Sequence, residues 1–275
     1  MASVGILHPG QMGIVLAASA KLSGNRVYWA SEGRSVVSIK RAQDAGLEDA
    51  VTLRALCQRV EILLSVCPPE FAEILAKQVL DAGFRGTYVD ANAISPERVK
   101  KIALSMTAAG VDFVDGGIIG LASLEDGETW LHVSGGGAAR IAECFAGGPV
   151  TVDVMEGEVG RASALKMCYA GYNKGSIALA GAVAAAAHRL GVYDALTKQW
   201  DRKGPGTKSL EGKLLRAAPK AWRWVGEMHE ISDTLQSAGV PEGFHRAAAE
   251  VYERLRAMKD EDRPSFEEVI RRLTE

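Results

Sequence analysis

The spacing of hydrophobic positions changes character once along the chain. From Val4 to Val154, short apolar runs alternate with stretches whose apolar positions recur every three or four residues, the rhythm of a parallel sheet built from βαβ units. The runs predict strands at Val4 to Leu7, Arg26 to Ala30, Ile62 to Val66, Thr87 to Asp90, Asp112 to Val114, Trp130 to Val133 and Val150 to Val154. Between them the pattern predicts helices near Met12 to Leu22, Ser35 to Ala45, Pro69 to Ala82, Pro96 to Ala109 and Ala138 to Phe145. The expected α/β architecture is a doubly wound, twisted sheet with helices on both faces. After "GEVGRA" the strand signals stop, and from Ala162 onward the chain keeps a helical period to its end. This change of class divides the chain into an α/β domain over 1–160 and an all-α C-terminal domain over 161–275, with no low-complexity linker and no repeat.

A chain of 275 residues can bury a large core. The formal net charge of −2 offers no basic field for nucleic acid and no polybasic stretch for an anionic membrane, so a small-molecule substrate is the expected partner. The longest apolar tract, "GSIALAGAVAAAA", is too short to span a bilayer and reads as a buried helix. No signal-type segment opens the chain, and Cys57, Cys67, Cys144 and Cys168 show neither a C-x-x-C nor metal-ligand spacing. Reduced, mostly buried thiols in a cytoplasmic protein without a metal are expected.

The turn after the first strand reads "HPGQMG". A tight turn presenting backbone N–H groups at a helix N-terminus suits a pyrophosphate, because unpaired donors and the helix dipole both favour an anion. Gly10 and Gly13 occupy the second and third glycine positions of G-x-G-x-x-G, and His8 takes the first. Pro9, Gly10, Gln11, Met12 and Gly13 are therefore the candidate cofactor-binding turn. At the end of the second strand stands "ASEGRSVV". Ser31, Arg34 and Ser35 suit the 2′-phosphate of NADP, while Glu32 is an acid of the kind that favours NAD; the alternative for Arg34 is a solvated surface charge. NADP(H) is the preferred expectation, with NAD(H) open.

"GILHPGQMG", "LLSVCPPE", "VDANAISP", "FVDGGIIG", "LHVSGGGAARIAECF" and "GEVGRASALKMCYAGYNKG", in that order, resemble the landmarks of the β-hydroxyacid dehydrogenase and 6-phosphogluconate dehydrogenase superfamily, from Val4 to Ala187. "DANAISP", "GGIIG" and "SALKMCYAG" resemble the branch whose helical C-terminal domain was long of unknown function. The resemblance implies a Rossmann domain, a nicotinamide cofactor contacted also by Cys67, Pro68 and Asn92, and a helical domain that often forms a homodimer.

Hydride transfer to or from a carbinol carbon needs a group that exchanges the hydroxyl proton in the same event. A lysine at the mouth of an apolar cleft can do this, since desolvation lowers its pKa. Lys166 matches the family's lysine in G-x-G-x-x-x-K-x-x-N-N, with Gly160 at the first glycine and Ala162 replacing the second. Tyr169 and Ala170 stand where two asparagines are expected. Helical spacing puts Lys166, Tyr169 and Asn173 on one stripe, so Tyr169 and Asn173 either replace the missing amides or merely pack in a helix bundle. Asn92 stands where many relatives bind a substrate carboxylate through serine, and Ile119, beside Gly120, takes the serine position of the family's S-G-G. Gly116, Gly117 and Gly120 either shape that site or serve a tight loop after the fifth strand. His229 faces either a cleft or solvent, and "DRKGPGTKS" reads as a solvated loop. Trp222, Val225 and Ile231 are apolar faces that a small bundle leaves for a second copy. The function expected is an NADP-preferring oxidoreductase with Lys166 as acid and base. An imine reductase-like enzyme and a non-catalytic dinucleotide-binding sensor are the alternatives.

Overall fold

Alternation of side chains along the strands sends one set of apolar residues to each face of a sheet, and the helices that cover those faces follow the strands in sequence. A computed structural model describes residues 1–259 and 261–275. It falls into two units, Met1–Lys166 and Met167–Glu275.

The first unit holds β1 (Ser3–Ile6), α1 (Gln11–Leu22), β2 (Arg26–Trp29), α2 (Val36–Asp44), β3 (Glu48–Asp49), α3 (Leu53–Arg59), β4 (Ile62–Ser65), α4 (Ala72–Asp81), β5 (Thr87–Asp90), α5 (Pro96–Ala108), β6 (Asp112–Gly120), β7 (Thr129–Ser134), α6 (Ala138–Phe145) and β8 (Thr151–Val154). The strands form one sheet in the order β3-β2-β1-β4-β5-β6-β7-β8. Outward crossovers from β1 in both directions leave a switch point between β1 and β4, where open α/β sheets bind ligands at the carboxyl ends of their strands. One core cluster takes Val4, Ile6, Ile62, Leu64 and Val89 with Leu16 of α1 and Ile141 of α6. The other takes Leu63, Tyr88 and Phe113 with Leu56, Val79, Ile102 and Met106 of α3, α4 and α5. This is the Rossmann doubly wound sheet expected from the pattern.

Several elements differ from the sequence reading. Strand β6 does not end at Val114: it runs through Gly116, Gly117 and Gly120 and pairs antiparallel with β7, so these glycines belong to a strand and not to a loop, and the sheet is not wholly parallel. β3 and α3 are not expected from the sequence; they are only two and seven residues long. The helix expected from Pro69 opens as a 3-10 turn over Pro69–Phe71 before α4.

The second unit is helical. α7 (Arg161–Arg189) leads into it, followed by α8 (Tyr193–Lys203), α9 (Thr207–Ala217), α10 (Ala221–Ser237), α11 (Gly243–Arg254) and α12 (Phe266–Thr274). Gly171 and Gly175 let α11 approach α7 closely, since a Cβ on either would meet the His245 ring at 3.4 and 3.0 Å. The His245 Nε2 lies 3.1 Å from the Gly171 carbonyl, and the Tyr252 hydroxyl donates to the Lys174 carbonyl at 2.6 Å. Lys174 pairs with Glu227 and lies over the Trp224 ring. The apolar tract of α7 is not buried throughout: Leu179 and Val183 are exposed, because the other helices of the unit cover only one side of it. Ile231 is fully buried and needs no further cover, while Trp222 and Val225 are half-buried. "DRKGPGTKS" is not a loop but the end of α8 and the start of α9, broken only at Gly204–Gly206. His229 is exposed. The cysteines are free; Cys57 and Cys144 are buried, Cys67 is half-buried and Cys168 is exposed, so burial is less general than expected. Among the described residues, no helix is long and apolar enough to cross a membrane.

Candidate functional site

The turn between β1 and α1 is open where a phosphate would approach and closed where helix meets strand. Gly10 caps α1 with φ −70° and ψ −173° and offers no side-chain acceptor to its first turn. A Cβ on Gly10 would meet nothing within 4 Å. On Gly13 it would collide with the His8 carbonyl oxygen, so this glycine serves the packing of α1 on the end of β1. His8 is not among the residues with positive φ, so the position of the first glycine tolerates a side chain here. Burial, aided by the nearby Arg34 guanidinium, lowers the His8 imidazole to about 4 and leaves it neutral at neutral pH.

Two arginines reach this turn. Arg34 Nη2 donates to the Leu7 carbonyl at 3.0 Å, and Arg41 Nη1 to the Pro9 carbonyl at 2.9 Å. Arg34 is thus half-buried against the turn and is not a solvated surface charge. Its Nε and the His8 Nδ1 are buried without hydrogen-bond partners, an arrangement that leaves polar capacity for a bound group. Arg41 escaped the sequence reading; it lies in the second turn of α2, while Arg34 precedes that helix. Ser35 uses its hydroxyl to accept the Ser38 N–H at 3.3 Å as the N-cap of α2, and Ser31 donates its N–H to Asp49. Glu32 is exposed and its N–H donates to the Val51 carbonyl. Gln11 is exposed, and Met12 is half-buried.

At the ends of β4 and β5, Asn92 is buried and its amide is committed to the fold. Its Oδ1 accepts the Cys67 N–H at 2.7 Å, its Nδ2 donates to Ser65 Oγ at 3.0 Å, and its own N–H donates to Asp90 Oδ1 at 3.0 Å. Asn92 thus staples the Cys67–Pro68 turn with one acceptor and one donor of its side-chain amide. Burial pushes the Cys67 thiol up to about 12 and Asp90 up to about 7.

Lys166 lies at the carboxyl edge of the same sheet. Its Nζ donates to the Ile118 carbonyl of β6 at 2.7 Å. Gly117 makes room for this approach, since a Cβ there would stand 2.6 Å from the Ala162 carbonyl and 3.2 Å from Lys166 Cβ. Strand alternation puts Gly117 and Ile119 on one face, so the side chain of Ile119 shares the face against which Lys166 rests. Gly120 is exposed with φ +117° at the end of β6. Tyr169 and Asn173 fall in the second unit, where both are exposed and Asn173 Nδ2 donates to the Tyr169 carbonyl at 3.0 Å. Asp115, Ser134 and Ser163, missed in the sequence, are buried under the start of α7; the only signal was their place inside "VDGG", "HVSGG" and "RASALK". Among the described residues, no group of His, Cys, Asp and Glu is arranged to hold a metal ion.

Residues 187–255 match the model of a domain of unknown function, DUF1932. No curated protein matches the sequence. The fold is similar to that of the conserved protein MTH1747, whose structure reveals similarity with 3-hydroxyacid dehydrogenases: 26% identity over 93% of this chain and 97% of that one, TM-score 0.68. It is similar to 3-hydroxyisobutyrate dehydrogenase of Mycobacterium tuberculosis at 16% identity over 100% of both chains, TM-score 0.71. A reductive aminase from Aspergillus terreus, solved with NADPH and ethyl levulinate, aligns at 16% identity over 98% of this chain and 99% of that one, TM-score 0.58.

Proposed function

We propose, for a chain that belongs by its Rossmann fold and its DUF1932 domain to the β-hydroxyacid dehydrogenase superfamily, a nicotinamide-dependent oxidoreductase in which Lys166 moves the proton. The observation that carries the reading is the Lys166 ammonium held 2.7 Å from the Ile118 carbonyl, on the edge of the sheet that also bears the open turn at Gly10. The turn's residues fit a dinucleotide: Gly10 leaves space before a helix N-terminus, and the buried, unpartnered Arg34 Nε and His8 Nδ1 lie beside it. A bound nicotinamide supplies the hydride. Lys166 gives its proton to the oxygen or nitrogen of the unsaturated substrate, or takes one from a carbinol in the reverse direction. The Ile118 carbonyl keeps the amine in place between turnovers.

NADP is the preferred cofactor in this reading. Its support is the pair of guanidinium groups, Arg34 and Arg41, beside the turn and the second strand's end. The aliphatic Ile119 on the Lys166 face, where a carboxylate-binding hydroxyl is missing, favours a neutral ketone or an imine over a simple 3-hydroxy carboxylate. The protein acts as a homodimer, with the exposed Leu179 and Val183 stripe of α7 meeting a second copy.

The test is a screen of hydroxy acids, amino alcohols, ketones and cyclic imines, with consumption of NADPH followed by fluorescence. Lys166→Ala is expected to keep its NADPH affinity and to lose at least about a hundredfold in turnover. Full turnover in that variant removes Lys166 from the chemistry. NADPH binding without turnover of any compound by the wild type would favour a dinucleotide sensor instead.

A further inference from the structure

Strand β6 touches the start of α7 at three successive places. The first is Asp115, which is fully buried. Its Oδ2 accepts the Gly160 N–H at 2.8 Å, the Ser163 N–H at 3.1 Å and the Ser134 hydroxyl at 2.9 Å, and its Oδ1 accepts the Ser163 hydroxyl at 2.6 Å. Ser134 Oγ in turn accepts the Ala162 N–H at 3.2 Å, which orients its own hydrogen toward Asp115. Four donors thus converge on the Asp115 carboxyl group. The second place is Gly117, where the missing Cβ lets Ala162 and Lys166 lie on the strand. The third is the Ile118 carbonyl, which holds Lys166 Nζ.

The N–H groups at the start of a helix have no partner within it, and the helix dipole leaves them partly positive. A cap normally comes from the residue at the helix end itself. Here it comes from a strand 48 residues earlier in the chain, so satisfying those donors also fixes the first turn of α7 on β6. The carboxyl group meets two backbone N–H groups and one hydroxyl through Oδ2 and a second hydroxyl through Oδ1, so its orientation is fixed from both oxygens. Gly160, at φ +105°, turns the chain so that its N–H points at the carboxylate, a conformation that favours glycine. Lys166 follows one turn after Ser163 and inherits the position of that turn.

We infer that Asp115 is the positioning residue for Lys166, acting through Ser134, Ser163 and the first turn of α7. Its role is to keep the amine on the Ile118 carbonyl and out of bulk water, at a fixed place on the sheet edge, because a displacement of about 1 Å is enough to lose productive geometry. The catalytic meaning of that placement rests on the proposed function; the placement itself does not.

The experiment therefore reads the lysine without turnover. The full chain is labelled competitively with trace acetic anhydride across a pH series, and acetylation of the Lys166 peptide is quantified by mass spectrometry, with the exposed Lys40 as internal reference. In the wild type Lys166 is expected to label more slowly than Lys40. Asp115→Asn, which turns an amide toward donors, is expected to raise Lys166 labelling by about fivefold and to move its pH midpoint, with Lys40 unchanged. Ser163→Ala, which removes only the Oδ1 bond, is expected to give a smaller rise. A Lys166 curve in folded Asp115→Asn that superimposes on the wild type overturns the inference. If that variant does not melt cooperatively, an unmoved curve in Ser163→Ala overturns it in its place. Turnover that survives Lys166→Ala would defeat the proposed function and leave the labelling result standing, so the two failures are distinct.

Discussion

Replacing Asp90 with asparagine tests whether the end of β5 carries a buried carboxyl at a cost. Asp90 is fully buried; its Oδ1 accepts the Asn92 N–H, and its Oδ2 has no hydrogen-bond partner. Desolvation is the largest cause that pushes the group from 3.8 to about 7, with the neighbouring Asp115 adding to the rise and the Asn92 N–H opposing it. Between those values the folded chain holds a proton that the unfolded chain has released. Stability from this group is therefore complete below 3.8, declines as pH rises and is gone above about 7. At 1.36 kcal/mol per pH unit, the whole span amounts to ~4 kcal/mol, and the part between pH 5 and pH 8 to ~2–3 kcal/mol. Asp90→Asn keeps the acceptor for Asn92 and cannot ionise. Any cost of its new buried amide hydrogens is the same at both pH values. The stability of the variant relative to wild type, from urea unfolding, should thus improve by ~2–3 kcal/mol on going from pH 5 to pH 8. A difference between the two proteins that is equal at pH 5 and pH 8, or that moves the other way, would refute the reasoning.

The two turn glycines should separate binding from folding. Gly10→Val is expected to melt like wild type and to lose about tenfold or more in NADPH affinity by titration calorimetry, while Gly13→Ala, whose Cβ strikes the His8 carbonyl, should lower stability by about 1–3 kcal/mol. Arg41→Ala is expected to weaken NADPH by about tenfold and NADH by little, and an equal loss for both cofactors would show that Arg41 only supports the Pro9 carbonyl. Light scattering at low micromolar concentration should give twice the 29.2 kDa chain mass; a species at the single-chain mass would mean that the α7 stripe has no partner copy.

The apolar period revealed the strands and helices that carry a full face of buried residues, from β1 through α6, because such elements must repeat in register with the core they cover. It missed β3 and α3, where two strand residues and barely two turns of helix leave too little pattern to read. It also stopped β6 at Val114. Glycines read locally as turns, and only pairing with β7 makes the stretch from Gly116 to Gly120 a strand. The all-helical character of the chain after Gly160 was legible, but which of its apolar residues are covered was not: Ile231 is buried and Leu179 is exposed although both are aliphatic residues of helices.

The candidate site divides in the same way. The sequence alone determined the glycine-bearing turn between β1 and α1, since Gly10 and Gly13 meet local requirements of open backbone and helix packing, and it singled out Lys166 by its place in a motif. Only the tertiary structure decided what stands around them. It tied Asn92 to the Cys67 N–H, brought Arg41 to the turn beside Arg34, and set Asp115 of β6 beneath the first turn of α7. These partners lie 25, 32 and 48 residues apart in the chain, and each pairing depends on which strands neighbour one another in the sheet and at what register. Such long-range pairings leave no period and no spacing in the sequence, because the physics that selects them is the satisfaction of buried polar groups after the sheet has formed.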